Sequence, residues 1–448
     1  MIDVKKLMNE ISASAIESTV GKKDFGENFT NVNLIEEKFD KLPQELFSNP
    51  NLKWLDPCAG IANYPIVLIN KLMDGLKLII TEDSTRLNHI LTNMIYMVEL
   101  QDTSCFKIKN SLGNQINLFE GSFLDENFEV KFPFKFDIIF GNPPYEKMID
   151  GKRSSKNDNL WTKFIDKSIS LLKDDGYLLF ITPQAWMSPT SKQLKNVFLK
   201  YKLLYLNIQD CGKYFNVGSK FSYYLIQKTL NDNKTTTKFK CFYPGSKIIN
   251  SFNEDGELII DKNIKFIPQI ISENIFSLLK KTSFNNNLHK FNIQYDSDLH
   301  KFTKKQLLSE TKNEEFKYEI LHTPSQTVWA NRPHKNQGKI KVFIPLTTYY
   351  EQISINVCGN TQGVGYVLCE NNEDAEKIKK VLLTDLYRFI ANITRWSNFN
   401  VPEVMKSLPS IDIGKYSLEE IDNSLIYKLF SITQKEQETI KKLLKNAN

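Results

Sequence analysis

The 448-residue sequence has only six cysteines and five histidines, and neither set is patterned. Cys58, Cys105, Cys211, Cys241, Cys358 and Cys369 include no C-x-x-C pair, and no H-E-x-x-H occurs. This excludes the common zinc signatures, so no metal is expected. Scattered cysteines predict free thiols in a reducing compartment. No run approaches the ~18 apolar residues of a membrane span, and the opening M-I-D-V-K-K lacks the apolar core of a signal peptide. A soluble, cytoplasmic protein with no membrane partner is expected. No internal repeat and no P-D-x-n-E-x-K nuclease signature is evident. The charge is mildly basic, +6 with a pI near 8.7, which admits a polyanionic partner without requiring one.

Apolar residues, by contrast, are plentiful: 41% of the chain, with 12% aromatic, enough to fill the cores of two domains. The most informative stretch is Phe136 to Tyr145, F-D-I-I-F-G-N-P-P-Y. The apolar run Ile138 to Phe140 reads as a buried strand that stops at a rigid turn. Pro143 and Pro144 fix two φ angles and donate no hydrogen bonds, leaving the preceding carbonyls free to accept. Asn142 adds a side-chain carbonyl and Tyr145 a flat aromatic face. Two acceptors and a ring at the carboxyl edge of a sheet suit a planar group carrying an exocyclic amine, because open α/β sheets bind ligands at that edge.

Strand and helix alternate from Trp54 to Thr182, as in a doubly wound parallel sheet. Helical spacing predicts a helix within Met1 to Val20 and another over Val32 to Leu42, capped by Thr30 or Asn31. K-W-L-D-P-C-A-G-I-A-N, Lys53 to Asn63, reads as a strand ending at Asp56-Pro57, with a helix from about Tyr64 to Met73. Small residues there allow close backbone approach to a ligand, and the helix N-terminus faces it. The spacing next predicts a strand over Lys77 to Thr81 and a helix over Arg86 to Leu100. Glu82 or Asp83 then stands at the tip of the second strand, where an acidic residue accepts ribose hydroxyls. I-N-L-F-E-G-S-F-L follows as a third strand. Glu146 to Asn159 is polar and contains Lys152 and Arg153. Further strands are expected at Gly176 to Thr182, Leu203 to Ile208 and F-S-Y-Y-L-I-Q.

Near Thr229 the composition turns polar, N-D-N-K-T-T-T-K. A domain boundary there gives units of 1–229 and 230–448. The second unit reads as mixed short strands and helices. Its turn Asn331 to Lys341 is basic, with Arg332, Lys335 and Lys339 beside Trp329, Tyr349 and Tyr350, and suits phosphate contact. Arg388, Arg395 and Trp396 make a second basic-aromatic group.

Asn142-Pro143-Pro144-Tyr145 resembles the catalytic motif of S-adenosylmethionine-dependent amino-methyltransferases. The order of parts is similar to that of the gamma class (TaqI-like and Eco57I-like) of N6-adenine DNA methyltransferases. The resemblance implies a Rossmann-like doubly wound methyltransferase sheet and a C-terminal α+β target-recognition domain. It implies S-adenosyl-L-methionine as cofactor, an extruded adenine in double-stranded DNA as substrate, and a cognate restriction endonuclease as a further partner. It gives Phe29, Thr30, Asp56, Pro57, Gly60, Asn63, Glu82, Asp83, Ser122, Phe123 and Asn142 to the cofactor. It gives Asn142, Pro143, Pro144 and Tyr145 to catalysis. Phe215, with Phe221 as second choice, would stack on the target base opposite Tyr145. Lys152, Arg153, Arg332, Lys335, Lys339 and Arg395 would contact nucleic acid. The chain departs from the family in three places. Asn31 stands where proline is usual, Ser122 where aspartate is usual, and Ala62 replaces a glycine, which is strained if φ is positive. N-P-P-Y also occurs in methyltransferases of protein glutamine and of ribosomal RNA guanine. A catalytically inactive DNA-recognition subunit is a third reading.

Overall fold

The computed structural model describes residues 30–145, 148–149, 152–153, 159–214, 220–396 and 399–445. The helix expected within Met1 to Val20 lies outside them. The chain divides into two compact units. One comprises 1–186, 192–241 and 255–262; the other comprises 187–191, 242–254 and 263–448.

The first unit is built on one large sheet. Its strands are β1 (Trp54–Asp56), β2 (Ile95–Glu99), β3 (Asn117–Glu120) and β4 (Phe136–Gly141). A two-residue hairpin follows, β5 (Met148–Ile149) and β6 (Lys152–Arg153), outside the sheet. The sheet continues with β7 (Leu172–Pro183), β8 (Tyr201–Ile208), β9 (Phe221–Leu230), β10 (Thr236–Tyr243) and β11 (Phe252–Ile259). The spatial order is β11-β10-β8-β9-β7-β4-β1-β2-β3. β1 lies parallel to both β2 and β4, and β4 parallel to β7; β9 alone is shown running against its neighbours β7 and β8. The order reverses between β1 and β4, the switch point at which doubly wound sheets open a crevice. The sheet runs past the polar segment after Thr229, through β10 and β11.

Helices connect the strands: α1 (Val32–Phe39), α2 (Asn63–Gly75), α3 (Asp83–His89), α4 (Asp102–Leu112), α5 (Asn127–Lys131) and α6 (Leu160–Leu171). Asn31 caps α1 by accepting from the Asn33 N–H at 2.9 Å. β4 is almost wholly buried, as a central parallel strand covered on both faces must be. Phe140 anchors it, with ring centroids 5.2 Å from Phe39, 6.0 Å from Tyr64 and 6.3 Å from Trp54. Each such pair adds about 0.5–1.5 kcal/mol beyond area burial, so the floor under Asn142 is stiff.

One expectation fails here. Lys77 to Thr81 is turn rather than strand, and β2 occupies Ile95–Glu99, inside the stretch expected to be helical. The apolar run from Ile90 to Val98 has helical spacing at its start and strand character at its end. Pairing with β1 and β3 decides for strand, with Asp56 opposite Met97 and Met97 opposite Leu118.

The second unit is α+β. One sheet has the order β12-β14-β13-β17 (Leu308–Ser309, Gln326–Ala330, Tyr318–Thr323, Gly359–Asn360). A second has β16-β15-β18 (Ser354–Asn356, Lys341–Pro345, Val364–Leu368). Its helices include α7 (Glu273–Lys281), α8 (Asn372–Leu382) and α9 (Asp385–Ile393). Among the described residues no helix is long and apolar enough to cross a membrane.

Candidate active site

The carboxyl ends of β1 and β4 lie side by side at the switch point, with Leu55 opposite Ile139. Asp56, which ends β1, is buried. Its Oδ1 accepts from the Cys58 backbone N–H at 3.1 Å, while Oδ2 is buried without a hydrogen-bond partner. Burial pushes its carboxyl up to about 7, against the lowering effects of the Cys58 N–H and the Lys38 ammonium. A carboxyl raised on folding contributes its stability below its unfolded value and loses it as pH rises through about 7. Asp56→Asn is therefore expected to raise the melting temperature of the ligand-free protein at pH 8 and to leave it unchanged at pH 4, as read by thermal scans at both.

The loop after β1 turns through two left-handed residues. Gly60 has φ +56°, and its N–H donates to Glu99 Oε2 at 2.7 Å. Ala62 has φ +69°, ψ 28°, the strained alternative that a side chain tolerates poorly. Left-handed backbone costs an L-residue about 1–2 kcal/mol. Glycine forfeits roughly 0.5–1 kcal/mol of this through unfolded-state entropy. Ala62→Gly is expected to raise the melting temperature by about 1–3 °C, measured by calorimetry.

Asn63 opens α2. Its Nδ2 donates to the Thr30 carbonyl at 3.3 Å, and its Oδ1 is buried without a partner. Two buried acceptors, Asp56 Oδ2 and Asn63 Oδ1, thus flank a loop whose backbone is held open by Gly60. Glu99 ends β2 next to them. Its Oε1 accepts from the Gln101 N–H at 2.8 Å and its Oε2 from Gly60. Its carboxylate thus stands at the end of β2, held against the Gly60 loop by two backbone N–H groups. This acceptor set fits a ligand that presents an amine and vicinal hydroxyls.

Glu82 and Asp83 do not join this site. Glu82 is exposed and caps α3, accepting from the Ser84 and Thr85 N–H groups at 3.1 and 2.6 Å. Those hydrogen bonds hold its carboxyl down at about 2. Asp83 pairs with Arg86 on the same helix. The acidic residue at the tip of the second strand is Glu99, which spacing alone did not single out. The strand-forming run I-Y-M-V before it was the available signal. Ser122 Oγ accepts from the Leu124 N–H at 3.2 Å. Phe123 is fully buried, with its ring centroid 5.3 Å from Phe128 and 5.2 Å from Phe164.

The N-P-P-Y turn leaves β4 through Gly141, whose φ is +147°. A Cβ there would meet Asp56 Oδ1 at 3.0 Å, so strand spacing and backbone both demand glycine. Asn142 Nδ2 donates to Thr30 Oγ1 at 3.3 Å, and its Oδ1 accepts from the Tyr145 hydroxyl at 2.7 Å. Pro143 is buried and Pro144 half-buried. The Tyr145 ring lies 5.2 Å from that of Phe221, which is fully buried at the start of β9. Burial pushes the Tyr145 hydroxyl up, so it stays a neutral donor. Burial likewise pushes up the Cys58 and Cys211 thiols, which leaves no thiolate beside the turn near neutral pH. Phe29 and Phe215 lie outside the described residues, as do the side chains of Lys152 and Arg153.

In the second unit the basic turn is largely offset from within. Arg332 donates to both oxygens of Asp298, at 3.0 and 2.8 Å, and Lys335 lies 3.4 Å from Asp296. Lys339 is exposed. Arg395 is half-buried, with its guanidinium 5.2 Å from the Tyr349 ring centroid. Trp396 and Arg388, read with Arg395 as a second basic-aromatic group, are buried. The Trp396 indole donates to the Ile267 carbonyl at 3.1 Å, and Arg388 pairs with Asp385 and Glu351.

A mostly parallel sheet with this switch point and this turn defines an α/β methyltransferase fold. Comparison with solved structures agrees on the fold: the DrdV–DNA complex aligns with a TM-score of 0.56 over 93% of this chain and 59% of its own, at 10% identity. A nuclease-deletion mutant of the Type ISP restriction-modification enzyme LlaGI aligns at 0.53 over 91% and 54%, at 11% identity. Residues 67–215 match the family described as Eco57I restriction-modification methylase. Over that span the chain is similar to Eco57I-like restriction-modification methylase domains. Its relatives include an uncharacterized adenine-specific methylase of Mycoplasma pneumoniae, 23% identical over 53% of this chain and 78% of that one. The Type II methyltransferase M.VspI of a Vibrio species is 25% identical over 58% of this chain and 60% of its own.

Proposed function

We propose that the chain transfers a methyl group from S-adenosyl-L-methionine to the N6 amine of an adenine extruded from double-stranded DNA. The observation that carries this reading is the Asn142 carboxamide. It stands at the carboxyl end of β4, at the switch point, with its amide nitrogen tied to Thr30 and its oxygen turned toward Tyr145. Relatives named as adenine-specific and Type II methyltransferases support the base and the polymer.

Asp56, Gly60, Asn63 and Glu99 would hold the cofactor, the two unpartnered acceptors taking its amine and Glu99 its ribose hydroxyls. When bound, the cofactor supplies an electrophilic methyl group on a sulfonium. Asn142 Oδ1 and the Pro143 carbonyl accept the two hydrogens of the substrate amine, which draws its nitrogen toward a tetrahedral lone pair. Positive charge then develops on nitrogen between two acceptors already in place, and the surplus proton passes to water. Tyr145 lends its ring as a stacking face; Phe215, outside the described residues, remains the proposed second face. Extrusion costs a few kcal/mol, which stacking and phosphate contacts offset. Lys152, Arg153, Lys339 and, after exchange of internal partners, Arg332, Lys335 and Arg395 are the proposed phosphate contacts. No thiol acts and no covalent enzyme intermediate forms.

Labelled cofactor offered with duplex DNA, structured RNA and a protein extract tests the reading, with nucleoside analysis of the products. N6-methyladenine in DNA is the expected product. Label confined to RNA or protein would overturn the substrate while keeping the chemistry. Cofactor bound without transfer to any of the three would favour the inactive recognition subunit.

A further inference from the structure

The buried face of α1 carries Leu34, Ile35 and Phe39, and among them Lys38, which is 0% exposed. Lysines are almost never fully buried unless paired. Here Nζ hydrogen-bonds only neutral groups, donating to the Tyr64 hydroxyl at 2.6 Å and to the Gly141 carbonyl at 3.1 Å and lying 4.5 Å from the Tyr64 ring centroid, while the carboxyl acting on it is that of buried Asp56. An apolar residue would pack this face at no desolvation cost, so the ammonium is a local fault in an otherwise apolar helix face. Such faults concentrate where function requires them.

The two acceptors say what it does. Gly141 is the residue just before Asn142, and its carbonyl belongs to the peptide that carries the Asn142 N–H. Tyr64 in turn hydrogen-bonds through its hydroxyl to Thr30. Thr30 Oγ1 accepts from Asn142 Nδ2 at 3.3 Å, and the Thr30 carbonyl accepts from Asn63 Nδ2. With Nδ2 engaged by Thr30, the carboxamide has one orientation left, and Oδ1 faces Tyr145. We propose that Lys38 is the positioning residue of the N-P-P-Y turn, holding the Gly141 carbonyl directly and the Asn142 carboxamide through Tyr64 and Thr30. One buried side chain thereby fixes both the backbone and the side chain of Asn142. Fully buried, it lines no open surface of the site. The inference rests on the methyl-transfer reading for its consequence, though its geometry stands without it. Burial lowers the Lys38 ammonium to about 7. The neutral amine still donates to Gly141, so the clamp survives deprotonation.

Lys38→Met keeps the volume and removes the donors. Its kcat is expected to fall roughly tenfold to a hundredfold, the scale of a small misplacement at the reacting centre, with KM for cofactor and DNA within about threefold of wild type. Hydrogen exchange at the Gly141, Asn142 and Tyr145 amides is expected to quicken at least about tenfold, while β2 and β3 stay as protected as before. Wild-type kcat in a folded Lys38→Met protein would overturn the proposal, as would KM values rising in step with a lower melting temperature and unchanged kcat. Should Lys38→Met fail to fold, Tyr64→Phe removes only the hydroxyl and must show the same split between kcat and KM. Should wild type transfer no methyl group, the reading of function fails by itself. Exchange then decides the clamp: unchanged protection of the Gly141, Asn142 and Tyr145 amides overturns it, and quickened exchange upholds it.

Discussion

Asn142→Ala is expected to lower kcat by about a hundredfold to a thousandfold or more, the usual loss when one preorganised polar group of a transition state is removed. The variant takes away the Oδ1 acceptor and with it the partner of the Tyr145 hydroxyl. It leaves untouched the loop of Asp56, Gly60 and Asn63, so cofactor affinity is expected to change little. Folding is expected to survive, because the turn is fixed by Pro143, Pro144 and the buried strand before them. The check is single-turnover methyl transfer beside calorimetric titration of the cofactor. Wild-type rates in this variant would sink the mechanism. Equal losses of affinity and rate would move Asn142 from the reacting centre to the cofactor cradle.

The second large effect is at Glu99. Glu99→Ala is expected to weaken cofactor binding by roughly tenfold to a hundredfold, the worth of hydrogen bonds to a charged acceptor. It also strips the Gly60 and Gln101 N–H groups of their acceptor, which loosens the loop on which Asp56 and Asn63 depend. Glu82→Ala provides the contrast. That carboxylate is exposed and engaged in capping α3, so its loss should change affinity by less than about threefold. Titrating the cofactor into both variants separates the two acids. If Glu82→Ala is the one that loses affinity, the reading of β2 as the cofactor strand is wrong. If neither loses affinity, the ribose is held elsewhere.

The contrast between these two acids shows where a sequence stops being legible. Both follow apolar runs, and both could end a second strand. Glu82 lies nearer the expected spacing after β1, and Asp83 beside it strengthens the pattern. What the sequence does not display is that Leu76 to Ile80 is spent in the turn after α2, so that the strand forms nearly twenty residues later. The pairing partners of Ile95–Glu99 are β1 and β3, remote in sequence, and they override the helical periodicity that enters from α3. The basic turn fails for a related reason. Arg332 and Lys335 are conspicuous in the sequence; Asp296 and Asp298, their partners, stand more than thirty residues earlier. Charge counted along the chain misses compensation across it.

By itself the sequence determined that strands and helices alternate between Trp54 and Thr182, though not where the second strand lies, and it determined the rigid turn at Asn142. Those are local: apolar run length, a glycine that tolerates φ +147°, and two prolines settle them before any tertiary contact forms. Tertiary structure alone decided which acid ends β2, that Ala62 bears a left-handed strain, that Phe123 faces a buried aromatic cluster, and that a lysine inside the core reaches the Gly141 carbonyl. Each of these depends on which distant segment is brought alongside. Gly60 finds Glu99 thirty-nine residues away only because parallel strands place their carboxyl ends together, and Lys38 finds Gly141 one hundred and three away because α1 packs beside Tyr64 of α2.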